Sequence, residues 1–292
     1  MKLELSERIS QINVFDKKRP LGDRMKEYEN LTRFTLDGQY PMIIRLDGNA
    51  FHTFTRGFEK PFDRSLMEAL QMTAKYLVEN IPGAQCAYHQ SDEISILITN
   101  YKLSNTEPWF DNNINKIVSL TASMATLQFN RIFSEIVRNQ NQGELRFKEV
   151  GFDPYFSKLR SIENGALFDS RVFILPKDEV INYFIWRQQD AIKNAVSMAA
   201  QSMFSHKTLQ NLNSLQMIDR MKNELSIDYE QRYSIVERRG SIIHRLAPAE
   251  FEKTIKQKNG IEKTIKYERS EWGVDLQIPV FRDNREYIEK FI

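Results

Sequence analysis

Three apolar runs and one amphipathic helix dominate the pattern of the first hundred residues. The first run, 41–46, stops abruptly at Asp47-Gly48, and two further runs, 86–88 and 94–98, flank the SDE stretch at 91–93. Between them, apolar residues recur at helical spacing from Asp63 to about Asn80, and the IPG stretch at 81–83 ends the helix. This pattern predicts a strand, a helix and then a hairpin with acidic residues at its tip.

Two longer amphipathic helices flank a fourth predicted strand further along the chain. Apolar residues recur every three or four positions over 112–137 and again over 177–206, whereas 139–161 reads as irregular and 166–174 as a strand. A shorter helix is predicted over 23–31. The resulting order, β-α-β-β-α-β, is that of a ferredoxin-like α+β fold, which also builds the palm of polymerases and nucleotide cyclases.

The pattern divides the chain into an N-terminal arm (1–20), a palm-like catalytic domain (21–205) and a C-terminal extension packed on the palm (206–292). The extension contains a polar helical stretch at 207–228 and predicted strands at 233–246 and 272–281. The sequence EKTIK occurs at 252–256 and again at 262–266, around Asn259-Gly260, which predicts a polar hairpin at about 251–268. Its lysines could be solvated or could meet RNA phosphates; they are Lys253, Lys256, Lys258, Lys263 and Lys266.

Composition narrows the classes of function. With 292 residues, of which 41% are hydrophobic and 27% charged, the chain can bury a sizeable core. A net charge of +2 argues neither for nor against a nucleic-acid partner. No apolar stretch approaches the roughly 20 residues that span a membrane, and the N-terminus lacks the apolar core of a signal peptide. The single cysteine, Cys86, falls in a predicted buried strand, which fits a reducing, cytoplasmic location, and the shortage of cysteine and histidine argues against a zinc site.

The acidic residues at the predicted strand ends are the first candidates for chemistry. Asp47 ends one strand, and Asp92 and Glu93 lie at the tip of the hairpin, so neighbouring strands would bring their carboxylates together. Carboxylates at one edge suit Mg²⁺, which takes oxygen ligands and shares them with substrate phosphates. Two such ions could clamp a phosphoryl displacement. The alternative is that these acids only cap turns, as Asp-Gly often does.

Six short blocks resemble, in order and spacing, those of the tRNA-His guanylyltransferase family. The family shows D-G-R-x-F-H, K-P-x-D, A-Y-G-Q-S-D-E, F-D-G-R, W-R-Q-x-D and a late R-K-G. This chain has DGNAFH at 47–52, KPFD at 60–63, AYHQSDE at 87–93, FDSR at 168–171, WRQQD at 186–190 and RRG at 238–240. The opening LGDRMK at 21–26 resembles the bacterial and archaeal branch of guanylyltransferase-like proteins.

The resemblance implies roles for individual residues. Asp47 and Asp92, with the Gly48 carbonyl, would hold two Mg²⁺ ions. The residues expected around the incoming nucleotide are Asn49, Ala50, Phe51, His52, Lys60, Ser91 and Glu93. The residues expected to contact tRNA or a second nucleotide are Arg187, Asn194, Arg238 and Arg239. From the residues alone, His52 could instead be a packed histidine and Lys60 a surface lysine, and Glu93 could be a turn residue or a supporting acid.

Two departures from the family pattern affect substrate choice. Eukaryotic members continue the fifth block with H-I-N-N, whereas this chain has IKNA at 192–195, so that only Asn194 remains. Asn49 stands where the family has arginine. These differences put strict selection of tRNA-His in doubt.

The function implied by the resemblance is nucleotide addition to the 5′ end of tRNA in the 3′-to-5′ direction. ATP or GTP would activate the 5′ end, and the bacterial and archaeal branch is associated with template-dependent repair of 5′-truncated tRNA. Partners would be tRNA, GTP and ATP, and the family favours a homo-oligomer, a tetramer. Two alternatives remain: a palm enzyme that forms cyclic nucleotides or dinucleotides from free NTP, and a non-catalytic tRNA-binding module.

Overall fold

The computed structural model describes residues 5–10, 19–101, 107–140, 154–256 and 262–292. Within these ranges the strands are β1 Met42–Asn49, β2 Ala84–Gln90, β3 Glu93–Ile98, β4 Leu167–Ile174, β5 Ser241–Arg245, β6 Ala249–Lys256, β7 Glu262–Arg269 and β8 Trp272–Asp275. The longer helices are α2 Leu21–Asn30, α4 Arg64–Asn80, α5 Ile114–Asn139, α6 Pro154–Asn164, α7 Lys177–Gln201 and α9 Ser214–Leu225. The short helices are α1 Leu5–Ser10, α3 Phe51–Phe54, α8 His206–Leu209, α10 Tyr229–Arg232, α11 Ile235–Arg239 and α12 Glu286–Glu289, with a 3₁₀ turn at Trp109–Asn112.

Six of these strands form one antiparallel sheet in the order β4-β1-β3-β2-β5-β8. Helix α4 connects β1 to β2, a tight turn connects β2 to β3, and α5 and α6 lead to β4. The order β4-β1-β3-β2 with these connections is that of the ferredoxin-like fold. The predicted α+β class is therefore confirmed.

The two faces of the sheet are buried against different helices. On one face, Ile44 and Leu46 of β1 belong to a core with Phe129 and the residues of α4 and α5. On the other face, Ile43 belongs to a core with Phe184 of α7 and residues near the C-terminus. Because side chains alternate along a strand, burial of both faces explains why β1 reads as a continuous apolar run.

The prediction that 139–161 is irregular is wrong where the structure describes this stretch. Helix α6 begins at Pro154, and Leu159 and Ile162 pack on the α5 side of the core. Its Lys158 is buried, with its Nζ 2.9 Å from the Oδ2 of Asp63. Tertiary packing therefore selects a helix that the local pattern did not indicate, and 141–153 lie outside the described residues.

The predicted strand over 233–246 is shorter than expected and follows two short helices. Ser234 and Glu237 form a reciprocal capping box, with the Ser234 amide 2.7 Å from the Glu237 carboxylate, so the chain enters α11. Within the predicted stretch, only Ser241–Arg245 forms a strand. The S-x-x-E signature of a capping box is present in the sequence, and it determines the local structure in spite of the β-branched residues around it.

Two other predicted elements end early. Helix α7 stops at Gln201, and His206 begins the separate helix α8. The last strand, predicted over 272–281, covers only Trp272–Asp275. Asp275 turns the chain by accepting a hydrogen bond from the Gln277 amide at 2.8 Å, and Pro279 has no N–H to donate to a ladder.

The C-terminal part of the chain contributes to the same sheet as the palm. Strand β5 pairs with β2, and β8 pairs with β5, whereas β6 and β7 form a separate two-stranded hairpin. The predicted Asn259-Gly260 turn of that hairpin lies outside the described residues. The division of the chain at residue 205 stays a prediction. Within the described residues, no helix is long and apolar enough to cross a membrane.

Candidate active site

Strands β1 and β3 bring the two predicted catalytic acids together at one end of the sheet. Asp47 lies opposite Glu93 in the β1–β3 ladder. Asp92 lies in the turn immediately before Glu93, and its backbone carbonyl accepts a hydrogen bond from the Gly48 amide at 3.1 Å. Asp47 and Asp92 are separated in sequence by helix α4, but they lie together at one end of the sheet, which is called the metal edge below.

A further acid and an arginine come from the neighbouring strand β4. Asp169 lies opposite Asp47 in the β1–β4 ladder. The guanidinium of Arg171 is 3.3 Å from the Asp169 carboxylate and 3.9 Å from that of Asp47. All three side chains are about half exposed, at 40–53%. The site thus gathers more negative than positive charge at its solvent side.

The electrostatics of Asp92 reflect that imbalance. Burial raises the pKa of the Asp92 carboxyl above its usual value, and the nearby charges of Asp47 and Glu93 raise it further. Hydrogen bonds from the Asp92 backbone amide and the Ser91 side chain lower this pKa and only partly offset the rise. A cation bound at this end of the sheet would favour the ionised Asp92 carboxylate and so counteract the rise in its pKa.

The donor set at this edge fits a hard divalent cation. Asp47, Asp92 and the Gly48 carbonyl offer only oxygen ligands. Within the described residues, no group of three or more His, Cys, Asp and Glu side chains is placed to hold a metal. Two carboxylates and one carbonyl do not fill an octahedral shell, so they would leave coordination positions for water and substrate phosphate, as Mg²⁺ sites usually do.

A cavity of about 640 Å³ opens beside the hairpin tip. Its walls come from α3, the loop before α4, the β2–β3 turn, α7 and the end of α11. The predicted site residues that line it are Phe51, His52, Lys60, Ser91, Asp92, Asn194 and Arg239. The structure thus brings residues from four of the six sequence blocks to one cavity, together with Asn194, which follows the fifth block. Asp47, Asn49, Ala50, Glu93, Arg187 and Arg238 are not in its wall.

The turn from β1 into α3 is built tightly around Gly48. A Cβ at Gly48 would lie 2.2 Å from the ring of Phe51, which is buried in the core. Ala50 has a left-handed backbone, with φ 53° and ψ 35°, and directs the chain into α3. Backbone amides at 50–52 lie at the start of a helical turn, where amides lack intrahelical partners. Exposed His52 contacts the Thr53 hydroxyl through its Nε2 at 3.1 Å.

The loop that carries Lys60 is fixed by a buried ion pair. Asp63 caps α4 by accepting a hydrogen bond from the Leu66 amide at 3.0 Å, and it also accepts from the Glu59 amide at 3.2 Å. Lys158 of α6 lies 2.9 Å from the same carboxylate, and both side chains are almost fully buried. The aspartate of the KPFD block is therefore a structural residue that holds the loop of Lys60 against α6.

Glu93 and Arg187 form a second buried ion pair. Two guanidinium nitrogens of Arg187 donate to the two Glu93 oxygens, each at 2.7 Å, and one also donates to Asp190 at 3.1 Å. The guanidinium packs 4.5 Å from the centre of the Trp186 ring, which is 52% exposed. Because Arg187 is only 7% exposed, this geometry favours a supporting role over direct contact with tRNA.

The two arginines of the late block point in different directions. Arg239 lines the cavity, and its backbone carbonyl accepts a hydrogen bond from the Tyr88 hydroxyl at 2.7 Å. Arg238 lies on a separate, more open cavity, 3.5 Å from Glu230. Gly240 has φ 84°, and a Cβ there would lie 2.3 Å from the carbonyl oxygen of His89. The glycine of this block is required by close packing of β5 on β2.

His89 lines the cavity and was missed among the sequence candidates. Its ring is buried, and its two nitrogens contact the Ser241 hydroxyl at 3.3 Å and the Ser91 carbonyl at 3.1 Å. Burial lowers the pKa of His89 to about 4, so the ring is neutral near pH 7. The signal for it was a histidine at the position where the third block of the family has glycine.

The fold and this edge together define a palm-type nucleotidyl-transfer protein, with carboxylates at the end of an antiparallel sheet. A family model described as tRNAHis guanylyltransferase matches residues 22–176, more than half of the chain. The chain belongs to the tRNAHis guanylyltransferase family and is a nucleotidyltransferase. The resemblance drawn from the sequence blocks is thereby confirmed.

Similar proteins extend beyond the matched segment. A bacterial tRNA(His) guanylyltransferase-like protein, solved with ATP, is 41% identical with a TM-score of 0.73, covering 94% of this chain and 99% of that one. Its structure with GTP gives 42% identity and a TM-score of 0.68, covering 93% and 98%. Uncharacterized protein R259 of Acanthamoeba polyphaga mimivirus is 30% identical over 234 residues, 74% of this chain and 76% of that protein. The tRNA(His) guanylyltransferase of Debaryomyces hansenii is 30% identical over 57% of this chain and 54% of its own length.

Proposed function

We propose that this chain adds nucleotides to the 5′ end of tRNA in the 3′-to-5′ direction, with the base opposite the added nucleotide selecting which one is used. The observation that carries the proposal is the placement of Asp92 at the wall of a cavity that Lys60, Asn194 and Arg239 also line. A metal-binding carboxylate and cations for phosphate at one cavity suit phosphoryl transfer, because its catalysis is mainly positioning and charge neutralisation.

The nucleotide substrates are GTP, ATP and other NTPs. Support comes from the bacterial relative that was solved with ATP and with GTP and is 41–42% identical over more than nine tenths of this chain. In the proposed reaction, the 5′-monophosphate of the tRNA first attacks the α-phosphorus of ATP or GTP, and pyrophosphate leaves. The 3′-hydroxyl of the incoming nucleotide then loses its proton and attacks the 5′ phosphorus of the tRNA, and the nucleoside monophosphate leaves.

Asp47, Asp92 and the Gly48 carbonyl would hold two Mg²⁺ ions. Bound there, the ions would supply activation of the attacking hydroxyl and charge neutralisation on the triphosphate. The residues themselves orient that chemistry: the half-exposed Asp47 faces solvent, and the Asp92 backbone is fixed to β1 by the Gly48 amide. Asp169 and Arg171 lie next to Asp47 and adjust the local charge.

The incoming triphosphate would lie along the start of α3. Backbone amides at 50–52 and the ammonium of Lys60 can donate to phosphate oxygens, and His52 and Ser91 would contact the nucleotide from the cavity wall. Asn194 and Arg239 also line the cavity and would contact the RNA end or the activating nucleotide. Glu93 and Arg187 would act beneath the site by fixing β3 to α7.

Template pairing explains how the chain can choose a base without the H-I-N-N block. A mismatched base leaves polar groups unpaired and misplaces the 3′-hydroxyl, so base pairing itself discriminates between nucleotides. The enzyme then needs only to recognise the A-form shape of the acceptor stem. Such an enzyme could add guanylate to tRNA-His and also repair tRNAs that lack their first 5′ nucleotide.

The remaining parts of the proposal concern domain organisation, oligomeric state and cellular location. The catalytic domain would comprise residues 21–205, preceded by an arm at 1–20 and followed by the extension at 206–292. The protein would act in the cytoplasm as a homo-oligomer, a tetramer as the family favours. The β6–β7 hairpin is either a solvated arm or an RNA contact.

The test compares 5′-labelled tRNAs lacking their first nucleotide, with each of the four bases opposite the gap, across all four NTPs. We expect the opposing base to determine which NTP is added, and full-length tRNA-His to accept guanylate. If only tRNA-His is extended, and always with G whatever base stands opposite, the template-dependent proposal is wrong and guanylyl transfer alone remains. A cyclic or linear dinucleotide formed from GTP alone would indicate the free-nucleotide reaction instead.

A further inference from the structure

The β2–β3 turn that carries Asp92 is held from two sides. Only Ser91 and Asp92 connect the strands, and Ser91 has a left-handed backbone with φ 49°, which is unfavourable for a residue with a side chain. On one side the Gly48 amide donates to the Asp92 carbonyl at 3.1 Å. On the other side the Nε2 of His89 contacts the Ser91 carbonyl at 3.1 Å. These two hydrogen bonds add to the Gln90–Glu93 ladder pair that closes the turn, and they fix the backbone that carries the Asp92 carboxylate.

The contacts of His89 fix the direction of each hydrogen bond. A backbone carbonyl can only accept, so Nε2 carries the proton and donates to Ser91. Nδ1 is therefore an acceptor and receives the hydroxyl proton of Ser241 at 3.3 Å. The Ser241 oxygen in turn accepts from the side-chain amide of Gln71 at 3.4 Å. One chain of hydrogen bonds runs from α4 through β5 to the turn.

The start of β5 is itself fixed to β2 and gives this chain of bonds a rigid base. Gly240 approaches the His89 carbonyl so closely that a Cβ would lie 2.3 Å from it. The Tyr88 hydroxyl donates to the Arg239 carbonyl at 2.7 Å. Both Tyr88 and Ser241 have no exposed surface. Position 241 therefore cannot shift relative to position 89 without breaking the packing of β5.

We propose that His89 is a positioning residue for nucleotide addition: its Nε2–H holds the Ser91 carbonyl, and through it sets the place of the Asp92 carboxylate at the metal edge. The proposal rests on the proposed function, because it assumes that Asp92 binds a divalent cation. His89 is assigned no contact with the metal or the reacting atoms. The Ser91 carbonyl fixes the proton on Nε2, and the Ser241 hydroxyl satisfies the other ring nitrogen.

The test replaces His89 by glutamine and by leucine in the full chain. Glutamine can still donate from a similar position to the Ser91 carbonyl, whereas leucine retains bulk and cannot donate. We measure Mn²⁺ binding by electron paramagnetic resonance, kcat and KM for the nucleotide, and hydrogen exchange of the Gly48 amide. For His89→Leu we expect Mn²⁺ affinity and kcat to fall about 10–100-fold, as for other residues that orient metal ligands. We expect KM to be unchanged, Gly48 to exchange faster, and His89→Gln to recover most of each loss.

A purely structural role would lower the melting temperature without changing Mn²⁺ affinity or Gly48 exchange in the folded protein. A leucine variant with wild-type Mn²⁺ affinity and wild-type Gly48 protection would overturn the proposal. Should this variant not fold, Ser241→Ala removes only the donor to Nδ1 and must show a smaller loss in the same two measurements; no change would overturn the proposal. A wild-type chain that binds no Mn²⁺ overturns the proposed metal site as well, which distinguishes the two failures.

Discussion

The carboxylates at the hairpin edge and those just behind it have opposite surroundings. Glu93 and Asp63 are almost fully buried, and each has a cationic partner at 2.7–2.9 Å, Arg187 and Lys158 respectively. At the edge, the cation of the Asp47 ion pair is 3.9 Å away, and both side chains are 40–51% exposed. Asp92 has its pKa raised by burial and by like charges.

This difference in surroundings separates structural carboxylates from carboxylates that can bind a metal ion. A buried carboxylate with a matched cation is an internal support, since its charge is already neutralised and water is excluded. A carboxylate whose charge is not neutralised by the protein is available to a cation from solution. The sequence places Asp92 and Glu93 next to each other, and only their surroundings assign them to different uses.

Removing a charge at the edge should have the largest effect on activity. We expect Asp92→Asn to abolish nucleotide addition, a loss of about 4 kcal/mol or more in transition-state stabilisation, about a thousandfold in rate. Asp47→Asn should behave alike. The measurement is single-turnover addition to labelled tRNA over a range of Mg²⁺ concentrations. Wild-type activity with unchanged Mg²⁺ dependence would contradict the assignment of either residue.

The same Asp92→Asn variant should not lose stability. The folded pKa of Asp92 lies above its unfolded value, so ionisation penalises the native state as pH rises through the folded pKa. We therefore expect the variant to be at least as stable as wild type at pH 7. The difference in free energy of unfolding should shrink as pH falls through the raised pKa and vanish below the unfolded value of 3.8.

Removing the cation of a supporting pair should instead affect stability. Arg187→Leu leaves the Glu93 carboxylate buried without a partner, which should lower the free energy of unfolding by about 3–5 kcal/mol. Denaturant unfolding followed by circular dichroism measures it. Lys158→Met is the matched variant at the other pair and should also be strongly destabilising. A loss below about 1 kcal/mol, typical of surface pairs, would show that Arg187 is not a support.

The smallest of the expected losses should appear at Lys60. We expect Lys60→Ala to raise KM for the nucleotide with little change in KM for tRNA, because one charge-assisted hydrogen bond to phosphate is worth about 1.5–3 kcal/mol. Steady-state kinetics with each substrate varied in turn measures this. Lys75→Ala removes an equal charge from a weak α4 surface pair with Glu79, 3.9 Å away, and should leave both constants unchanged. Equal increases for both substrates would point to a loop defect.

Much of the fold and the proximity of the acids could be predicted because local patterns agreed with tertiary structure. The run at 41–46 is almost continuously apolar, the helix at 64–80 has strong helical periodicity, and the SDE stretch marks the hairpin tip. Pairing of β1 with β3 then follows from the ferredoxin-like order. Two predictions of individual elements are wrong. Helix α6 was not predicted because its packing and the ion pair of Lys158 select it, and the predicted strand over 233–246 is shorter because of the capping box at Ser234.

The surroundings of each candidate could not be predicted in the same way. Nothing near Glu93 in sequence indicates Arg187, since the two meet only when α7 packs on the sheet. The environment of His89 likewise depends on Ser241, which arrives from β5. Burial, partners and proton positions come from contacts between distant segments, whereas motifs and periodicity report only on neighbours in sequence.

The pairing of β5 with β2 has a consequence for how the protein is made. The first four strands are complete when residue 174 has been synthesised, but β2 is then an edge strand of the sheet with unpaired backbone groups. Unpaired edge strands can pair with strands of other chains. Until residues 241–245 leave the ribosome, β2 of the nascent chain is an unpaired edge strand, and it lies next to an active site that still lacks its C-terminal residues. We therefore expect truncation after residue 205 to give an aggregating product, although the four-stranded core is present.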